Sequence, residues 1–214
     1  MNEQPLNKYP EKAPRPVASI RYPWLRDVLG IFLFIIAVIC GASIINATIF
    51  RSFSVVGPSM EDTLYTGERL IVNRLPMTGA AITSNIYTPD RGQIIVFKNP
   101  IYRPGDADEY IVKRVVGLPG ERVTVGKCIV TVFNSENPIG FNPYKYFDVS
   151  NQDECVTGDN IDITVPHGEI FVIGDHRNGN YSLDSRSGLS TIPLGDIVGP
   201  VSMRIWPMNK FQIF

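Results

Sequence analysis

Residues 110–133, YIVKRVVGLPGERVTVGKCIVTVF, contain three short runs rich in Val and Ile. Gly and Pro residues separate these runs, and LPG at 118–120 is typical of a tight turn. Short β-branched runs that are bounded by turn residues are typical of β-strands. The stretch therefore predicts consecutive strands with no helix between them.

The same pattern continues over most of the chain after residue 51. Candidate strands lie at 69–74, 93–98, 110–117, 122–126, 129–133, 161–165, 169–173 and 197–206. No convincing amphipathic helix interrupts the series. Many short strands without intervening helices indicate a mainly β fold, a sandwich or a barrel-like sheet. Residues 127–160 are rich in loop-forming residues, and we interpret them as an insertion or small subdomain.

The N-terminal side of this β region has a different composition. Residues 28–50, VLGIFLFIIAVICGASIINATIF, carry no charge. A helix of about 20 apolar residues crosses the hydrocarbon core of a bilayer, so this segment predicts one transmembrane helix. A cleaved signal peptide is the alternative, but the apolar run resumes at 44–45 after the small residues at 41–43. We therefore expect an uncleaved signal anchor.

The charges that flank the apolar segment predict its orientation. Five basic residues precede it, whereas Arg51 is the only one between it and Arg69; the five are Lys8, Lys12, Arg15, Arg21 and Arg26. An excess of Lys and Arg stays on the cytoplasmic side. Residues 1–27, which are rich in proline, are therefore expected to be a disordered cytoplasmic tail, and residues 51–214 an extracytoplasmic domain.

Charge and cysteine content narrow the function classes. The chain has 214 residues and a formal net charge of −1, without the Lys/Arg block that indicates a nucleic-acid surface. Its cysteines, Cys40, Cys128 and Cys155, form no CxxC pair, so we expect no metal site and no cofactor. Export would place Cys128 and Cys155 in an oxidising compartment, which favours a disulfide over two free thiols.

Ser59 is the first residue with the character of a nucleophile. It lies in residues 53–64, FSVVGPSMEDTL, nine residues beyond the apolar segment. Gly57 and Pro58 predict a turn that would expose the serine hydroxyl and its backbone N–H. Such a turn is common in proteins, so this motif alone is weak support for catalysis.

Lys113 is the candidate base for that serine. Side chains alternate along a strand, so Lys113 shares a face with Ile111 and Val115, and Arg114 lies on the other face. One cation of this pair must therefore project from an apolar row. Desolvation lowers a lysine pKa from about 10.4, and a neutral amine can accept a serine proton. The alternative is that Lys113 reaches the rim or pairs with an acid.

Two further observations concern how a base would be supplied and held. The chain has two histidines, His167 and His176, and neither lies in a nucleophile motif, although only geometry decides a Ser-His-Asp triad. Residues 174–188, GDHRNGNYSLDSRSG, are dense in small polar side chains. They are typical of a surface loop, but a hydroxyl within them could also orient a neutral lysine.

In combination, these segments resemble the bacterial type I signal peptidases, or leader peptidases, which are Ser–Lys peptidases. The similar segments are SMEDTL at 59–64, GERLIVNR at 67–74, RGQIIVF at 91–97, VKRVVGLPG at 112–120, and GD at 174–175 with SLDSR at 182–186. Their order and the preceding apolar segment also agree with that family. The resemblance extends over about residues 28–206, leaving out the N-terminal tail and residues 127–160.

The resemblance implies an activity and a role for individual residues. Ser59 would be the nucleophile and Lys113 the general base of an endopeptidase that removes signal peptides from exported preproteins. Ser182 would orient the lysine, and Asp184 and Arg186 would support the site. The implied partners are preprotein signal peptides and a lipid bilayer.

The resemblance also implies an oxyanion site and a substrate pocket. The oxyanion would bind the backbone of Ser59 and Gly57, where some family members have a serine in place of Gly57. Asp62 likewise replaces a proline that is frequent in the family. Shallow apolar pockets would accept small residues at the first and third positions before the cut. The residues that match these pockets are Phe53, Val55, Leu64, Leu70 and Val112.

Two alternatives remain open at this point. The chain could be another Ser–Lys processing protease with a different substrate. It could also be a non-catalytic membrane-anchored β module that binds an exported partner. The second alternative predicts an exposed lysine with an ordinary pKa, so the burial of Lys113 distinguishes it from an enzyme.

Overall fold

The apolar segment forms a long helix, α1 (Pro23–Thr48). The computed structural model describes residues 22–126, 129–147, 160–177 and 182–214. Helix α1 is long and apolar enough to cross a membrane, by its length and composition. It begins earlier than the predicted span, and Phe50 belongs to a strand instead. The predicted tail at 1–21 lies outside the described residues.

The rest of the described chain is mainly β, as the sequence predicted. The strands are β1 (Phe50–Ser54), β2 (Arg69–Asn73), β3 (Ile94–Lys98), β4 (Tyr110–Gly117), β5 (Arg122–Gly126), β6 (Ile129–Phe133), β7 (Ile161–Thr164), β8 (Glu169–Ile173), β9 (Ile192–Pro193), β10 (Ile197–Trp206) and β11 (Gln212–Ile213). Every predicted strand is present within a residue of its expected bounds. Strands β1, β9 and β11 and the helix α2 (Leu75–Ile82) were not predicted.

The strands form two antiparallel sheets. The larger sheet has the order β1-β2-β10-β3-β4-β8-β9, and β11 also pairs with β10. Irregular pairing along β10 shifts its register against both β2 and β3, and such bulges bend a sheet. Phe53 of β1 and Tyr110 of β4 are far apart in this order, yet their ring centroids are 5.3 Å apart. The sheet is therefore curled, which confirms the barrel-like prediction.

The smaller sheet has the order β6-β5-β7. Strand β6 lies in the region that we interpreted as an insertion, and it pairs along its whole length with β5. A short 3₁₀ turn (Pro143–Tyr146) follows it and buries Tyr144 against this sheet. Cys128 and Cys155 lie outside the described residues, so the predicted disulfide stays a prediction.

Strand β4 lies at the centre of the hydrophobic core. The buried apolar side chains of the described residues form three clusters, and β4 contributes to each of them: Val116 to the first, Ile111 and Val115 to the second, and Val112 to the edge of the third. From Lys113 to its end at Gly117, every residue of β4 is buried. Any polar side chain on this part of the strand is therefore removed from water.

Candidate active site

Ser59 lies in a turn that follows β1. Beyond that strand, the backbone of Val55 continues the pairing through hydrogen bonds with Glu68 and Gly67. Gly57 then adopts a φ of +88°, in the left-handed region that glycine tolerates best. Met60, fully buried, anchors the other side of the turn. The predicted turn is thus present, and its flanking residues hold the half-buried serine.

Lys113 reaches Ser59 from β4. Its Nζ lies 2.8 Å from Ser59 Oγ and donates a second hydrogen bond of 2.8 Å to the carbonyl of Val112. Only 2% of the lysine is exposed. Residues that are far apart in the sequence are therefore within hydrogen-bond reach, and the separation suits a proton transfer between the hydroxyl and the amine.

Burial changes the acidity of this amine. Desolvation is the largest effect and lowers the pKa of Lys113 to about 8 from an ordinary value of 10.5. The charge of Asp184 opposes this shift, and the charge of Arg186 adds to it. Among the residues that the structure describes, no carboxylate forms an ion pair with Lys113. The ammonium form therefore lacks the partner that would restore its stability.

The segment 174–188 supplies a buried polar cluster around Asp184. This carboxylate is fully buried and accepts hydrogen bonds from the Gly174 N–H at 2.9 Å and from Ser182 Oγ at 2.5 Å. Arg186 Nη2 donates to it at 2.8 Å. Burial raises the pKa of Asp184, but the donors, led by Arg186, outweigh it, so its pKa lies below the ordinary range. Asp184 thus stays ionised within the core.

The hydroxyl of Ser182 is held by this cluster. Its described hydrogen bond goes to Asp184, whereas the sequence led us to expect one to Lys113. Any effect of Ser182 on the lysine would then pass through the position and charge of Asp184. The direct contact between Ser182 and Lys113 stays a prediction.

The loop after β8 packs directly on the backbone of the nucleophile turn. The N–H of His176 donates to the carbonyl of Ser59 at 3.2 Å. A Cβ at Gly174 would lie 2.3 Å from the Ser59 carbonyl oxygen and 2.5 Å from Ser182 Oγ. Such contacts are far below van der Waals separation, so this close approach requires glycine at position 174.

Arg114 is also buried, on the opposite face of β4. The alternation of side chains along β4 predicted one cation on an apolar face, and the structure buries both Lys113 and Arg114. The guanidinium of Arg114 forms a two-point ion pair with Asp175, at 2.8 and 2.6 Å, and donates to the carbonyl of Gly92 at 2.8 Å. Sequence reasoning missed this pair, because the pairing of β4 with β8 that brings Asp175 close to Arg114 was not predicted.

Ser59 and Lys113 face a cavity of about 460 Å³. Four of the five predicted pocket residues line it: Phe53, Val55, Leu70 and Val112. Leu64, the fifth, is fully buried beneath the turn in the core and does not line the cavity. Gly57 is also part of the cavity wall, next to the predicted oxyanion position.

The histidines lie in loops, as the sequence indicated. His167 is in the turn between β7 and β8, and the Nδ1 of His176 lies 3.9 Å from a carboxylate oxygen of Glu61. The hydrogen bond that the structure shows at Ser59 Oγ comes from Lys113, which favours the lysine as the base. Within the described ranges, no group of three or more His, Cys, Asp and Glu side chains is arranged to hold a metal ion.

Comparison of the sequence with a family profile and with named relatives agrees with the resemblance of the motifs. The profile of the family described as "Signal peptidase, peptidase S26" matches residues 26–206. "Signal peptidase I" of Bacillus licheniformis is 32% identical, over 89% of this chain and 91% of its own. "Signal peptidase I P" of Bacillus subtilis subsp. natto is 29% identical, over 88% and 91%. A crystal structure of a signal peptidase I from Enterococcus faecalis V583 is 27% identical in sequence. The match covers 54% of this chain and 98% of the crystallised chain, with a TM-score of 0.38.

Proposed function

Because this chain belongs to the signal peptidase family, peptidase S26, we propose that Ser59 and Lys113 are the catalytic pair with which it cleaves signal peptides from exported preproteins. The observation that carries this assignment is the 2.8 Å separation between Ser59 Oγ and the buried Nζ of Lys113. A non-catalytic binding module would have an exposed lysine with an ordinary pKa. The burial and lowered pKa of Lys113 favour the enzyme.

The reaction starts with removal of the serine proton. With a pKa of about 8, about one Lys113 amine in ten is neutral at pH 7. The neutral amine accepts the Ser59 proton while Ser59 Oγ bonds to the carbonyl carbon of the residue before the cut. Lys113, now an ammonium, returns the proton to the departing amine of the mature protein. A water molecule then attacks the ester while Lys113 accepts its proton. Lys113 returns the proton to Ser59 Oγ, and the signal peptide is released.

The charge that develops on the substrate oxygen needs hydrogen-bond donors. Ser59 lines the cavity, and its backbone N–H is the donor that we assign to this position. Gly57, with its left-handed backbone, leaves space beside it for a main-chain group or a water molecule. This arrangement substitutes for the serine that some family members carry at the position of Gly57.

The substrate binds as an extended strand between two open strand edges. Residues 110–113 of β4 pair with β3 on one side, whereas β8 pairs with β4 only from Arg114 onward. Strand β1 is an edge strand of the larger sheet and pairs with β2 on one side. Peptides commonly add to such edges, where backbone hydrogen bonds give affinity and alternate side chains enter pockets. The apolar lining of the cavity suits small residues of the signal peptide.

The apolar helix α1 anchors the enzyme in the membrane that holds its substrate. The excess of Lys and Arg before the helix supports a cytoplasmic N-terminus and an extracytoplasmic location for residues 51–214. Ser59 is the ninth residue after Phe50, which limits how far along the chain the serine can be from the bilayer. Confining enzyme and membrane-inserted preprotein to one surface raises their effective concentration.

A cleavage assay on the full chain in lipid vesicles tests this assignment. The parent is expected to cut a preprotein after an Ala-x-Ala site, with the cut mapped by mass spectrometry. Ser59→Ala should abolish product formation, whereas Ser52→Ala, an exposed serine of β1, should cleave at the parent's rate. Cleavage by Ser59→Ala at the parent's rate would contradict the proposal.

A further inference from the structure

Three side chains meet beside the part of the cavity wall that Phe53 and Tyr110 form. The rings of Phe53 and Tyr110 are 5.3 Å apart between centroids, and the Cζ of Arg51 lies 5.0 and 4.6 Å from them. Arg51 Nη1 also donates to the Tyr110 hydroxyl at 3.3 Å. We call this group, Arg51 with Phe53 and Tyr110, the aromatic clasp.

The aromatic clasp connects the two strands that border the substrate cavity. Arg51 and Phe53 lie on β1, and Tyr110 is the first residue of β4. Strands β2, β10 and β3 separate these two strands in the sheet, so no ladder of backbone hydrogen bonds joins them directly. Phe53 and Tyr110 also line the cavity itself. The clasp therefore forms a wall where the two open edges approach each other.

Arg51 is engaged by rings rather than by an acid. Among the ion pairs of the described residues, none includes Arg51. A guanidinium stacks well on aromatic faces, and this use of the side chain differs from an ordinary salt bridge. The cation lies beside both rings, and Phe53 and Tyr110 also form part of the cavity wall, where an apolar side chain can pack against them.

The position of the clasp relative to the cut follows from strand geometry. Tyr110 precedes Lys113 by three residues, so the ring begins about 10 Å along the strand from the catalytic lysine. The intervening wall is apolar, with Val55, Leu70 and Val112, which suits the signal-peptide half of the substrate. An extended peptide with its scissile bond at Ser59 therefore presents its fourth or fifth residue before the cut to the clasp.

We propose that the aromatic clasp determines specificity by accepting an apolar side chain at the fourth or fifth residue before the cut. The exposed residues Asp108 and Glu109 directly precede Tyr110 in the sequence and also line the cavity. These carboxylates border the apolar wall, so the site fits a single apolar side chain rather than a run of several apolar residues. This inference rests on the proposed function, because it takes the cut to occur at Ser59.

Two matched substrates test the proposal. They are preproteins that differ only in Leu or Ala at the fourth residue before the cut, and a second pair differs at the fifth. At one of these positions the parent should prefer Leu by about ten-fold in kcat/KM, mainly through KM, since burying one apolar side chain gives discrimination of this size. Equal rates for Leu and Ala at both positions would overturn the proposal.

Variants of the clasp connect the preference to these residues. Tyr110→Ala and Arg51→Gln should lower kcat/KM for the Leu substrate by up to about ten-fold more than kcat/KM for the Ala substrate, so that most of the preference for Leu is lost. Tyr110→Phe keeps the ring and should retain the preference, as should Arg69→Gln, which removes an exposed cation from β2. A merely structural defect would lower both rates together. Retention of the preference by Arg51→Gln and Tyr110→Ala would also overturn the proposal.

A binding measurement separates this inference from the proposed function. Fluorescent peptides carrying Leu or Ala at the preferred position are titrated onto the Ser59→Ala protein, which does not need to cleave. The clasp is supported if the Leu peptide binds more tightly than the Ala peptide and this difference disappears in the Ser59→Ala/Tyr110→Ala double variant. This result supports the clasp even if Ser59 proves not to be the nucleophile. Equal binding of both peptides contradicts the clasp even if Ser59-dependent cleavage is observed.

Discussion

Lys113 and Arg114 are neighbours on one strand, and both are buried, with exposures of 2% and 7%. Their surroundings differ completely. Arg114 meets the carboxylate of Asp175 at two points, whereas Lys113 donates to a hydroxyl and a carbonyl, both uncharged. The first arrangement stabilises a permanent charge, and the second favours loss of a charge. Opposite faces of β4 thus carry a cation with a structural role, Arg114, and a cation with a chemical role, Lys113.

The comparison shows that burial alone does not make a lysine a base. A buried cation with a well-placed carboxylate remains charged, because the pair compensates for the lost hydration. Near Lys113, Asp184 provides a negative charge, but Arg186 binds that carboxylate. The same segment therefore withholds the partner that would keep the lysine protonated.

The largest effect on the cleavage rate is expected when the side chain at position 113 cannot lose its charge. Lys113→Arg replaces an amine that can lose its proton with a guanidinium that cannot, so cleavage should fall by about a thousand-fold or more. Lys113→Met, which has no basic group and a similar shape, should cleave as slowly as Lys113→Arg while the protein stays folded. A preprotein cleavage assay measures the rate, and circular dichroism measures the fold. A kcat of Lys113→Met close to the parent's would contradict the role of Lys113 as the base.

A large effect on stability is expected on the other face. Arg114→Ala leaves the buried carboxylate of Asp175 without its partner and should lower the free energy of unfolding by about 3–5 kcal/mol. Arg122→Ala is the control, because Arg122 and Asp162 form a short ion pair that is more than half exposed. That variant should change stability by less than about 1 kcal/mol. Urea denaturation curves with equal losses for both variants would contradict the structural role of Arg114.

The smallest effect concerns the titration of Lys113. Since the neutral amine is the active form, kcat/KM should rise with pH and level off above a midpoint of about 8. Below that midpoint the rate should fall about ten-fold per pH unit. Ser182→Ala removes a hydrogen-bond donor from Asp184 and should lower the plateau; because the charge of Asp184 raises the pKa of Lys113, a displaced Asp184 should also shift the midpoint. A plateau and a midpoint equal to the parent's would contradict any role of Ser182 in the site.

Strands were predictable here because their local composition agrees with their final environment. Runs such as 122–126 and 129–133 are β-branched, alternate in character and end at turn residues, so no tertiary contact was needed to identify them. Helix α2 was missed because its sequence, LPMTGAAI, has no polar face and includes both Pro and Gly. Strand β1 was missed because Phe50 continues the apolar segment without a break.

The candidate site was predictable where a motif carried it and not where packing did. Ser59 and Lys113 belong to segments whose order resembles a known family, and the structure brings them together. The aromatic clasp has no such signal, because Arg51 and Tyr110 become neighbours only when the sheet curls. Leu64 shows the converse: a motif residue can be identified correctly by position and still face the core.

Gly174 links the two halves of the site through a contact that leaves no space for a side chain. Every other amino acid would bring a carbon atom into the carbonyl oxygen of Ser59, whatever its polarity or size. If position 174 were randomised in a library and the survivors selected for secretion, glycine alone should return, although this residue takes no part in the chemistry. Tolerance to mutation at this position is therefore set by the nucleophile's backbone rather than by the residue's own role.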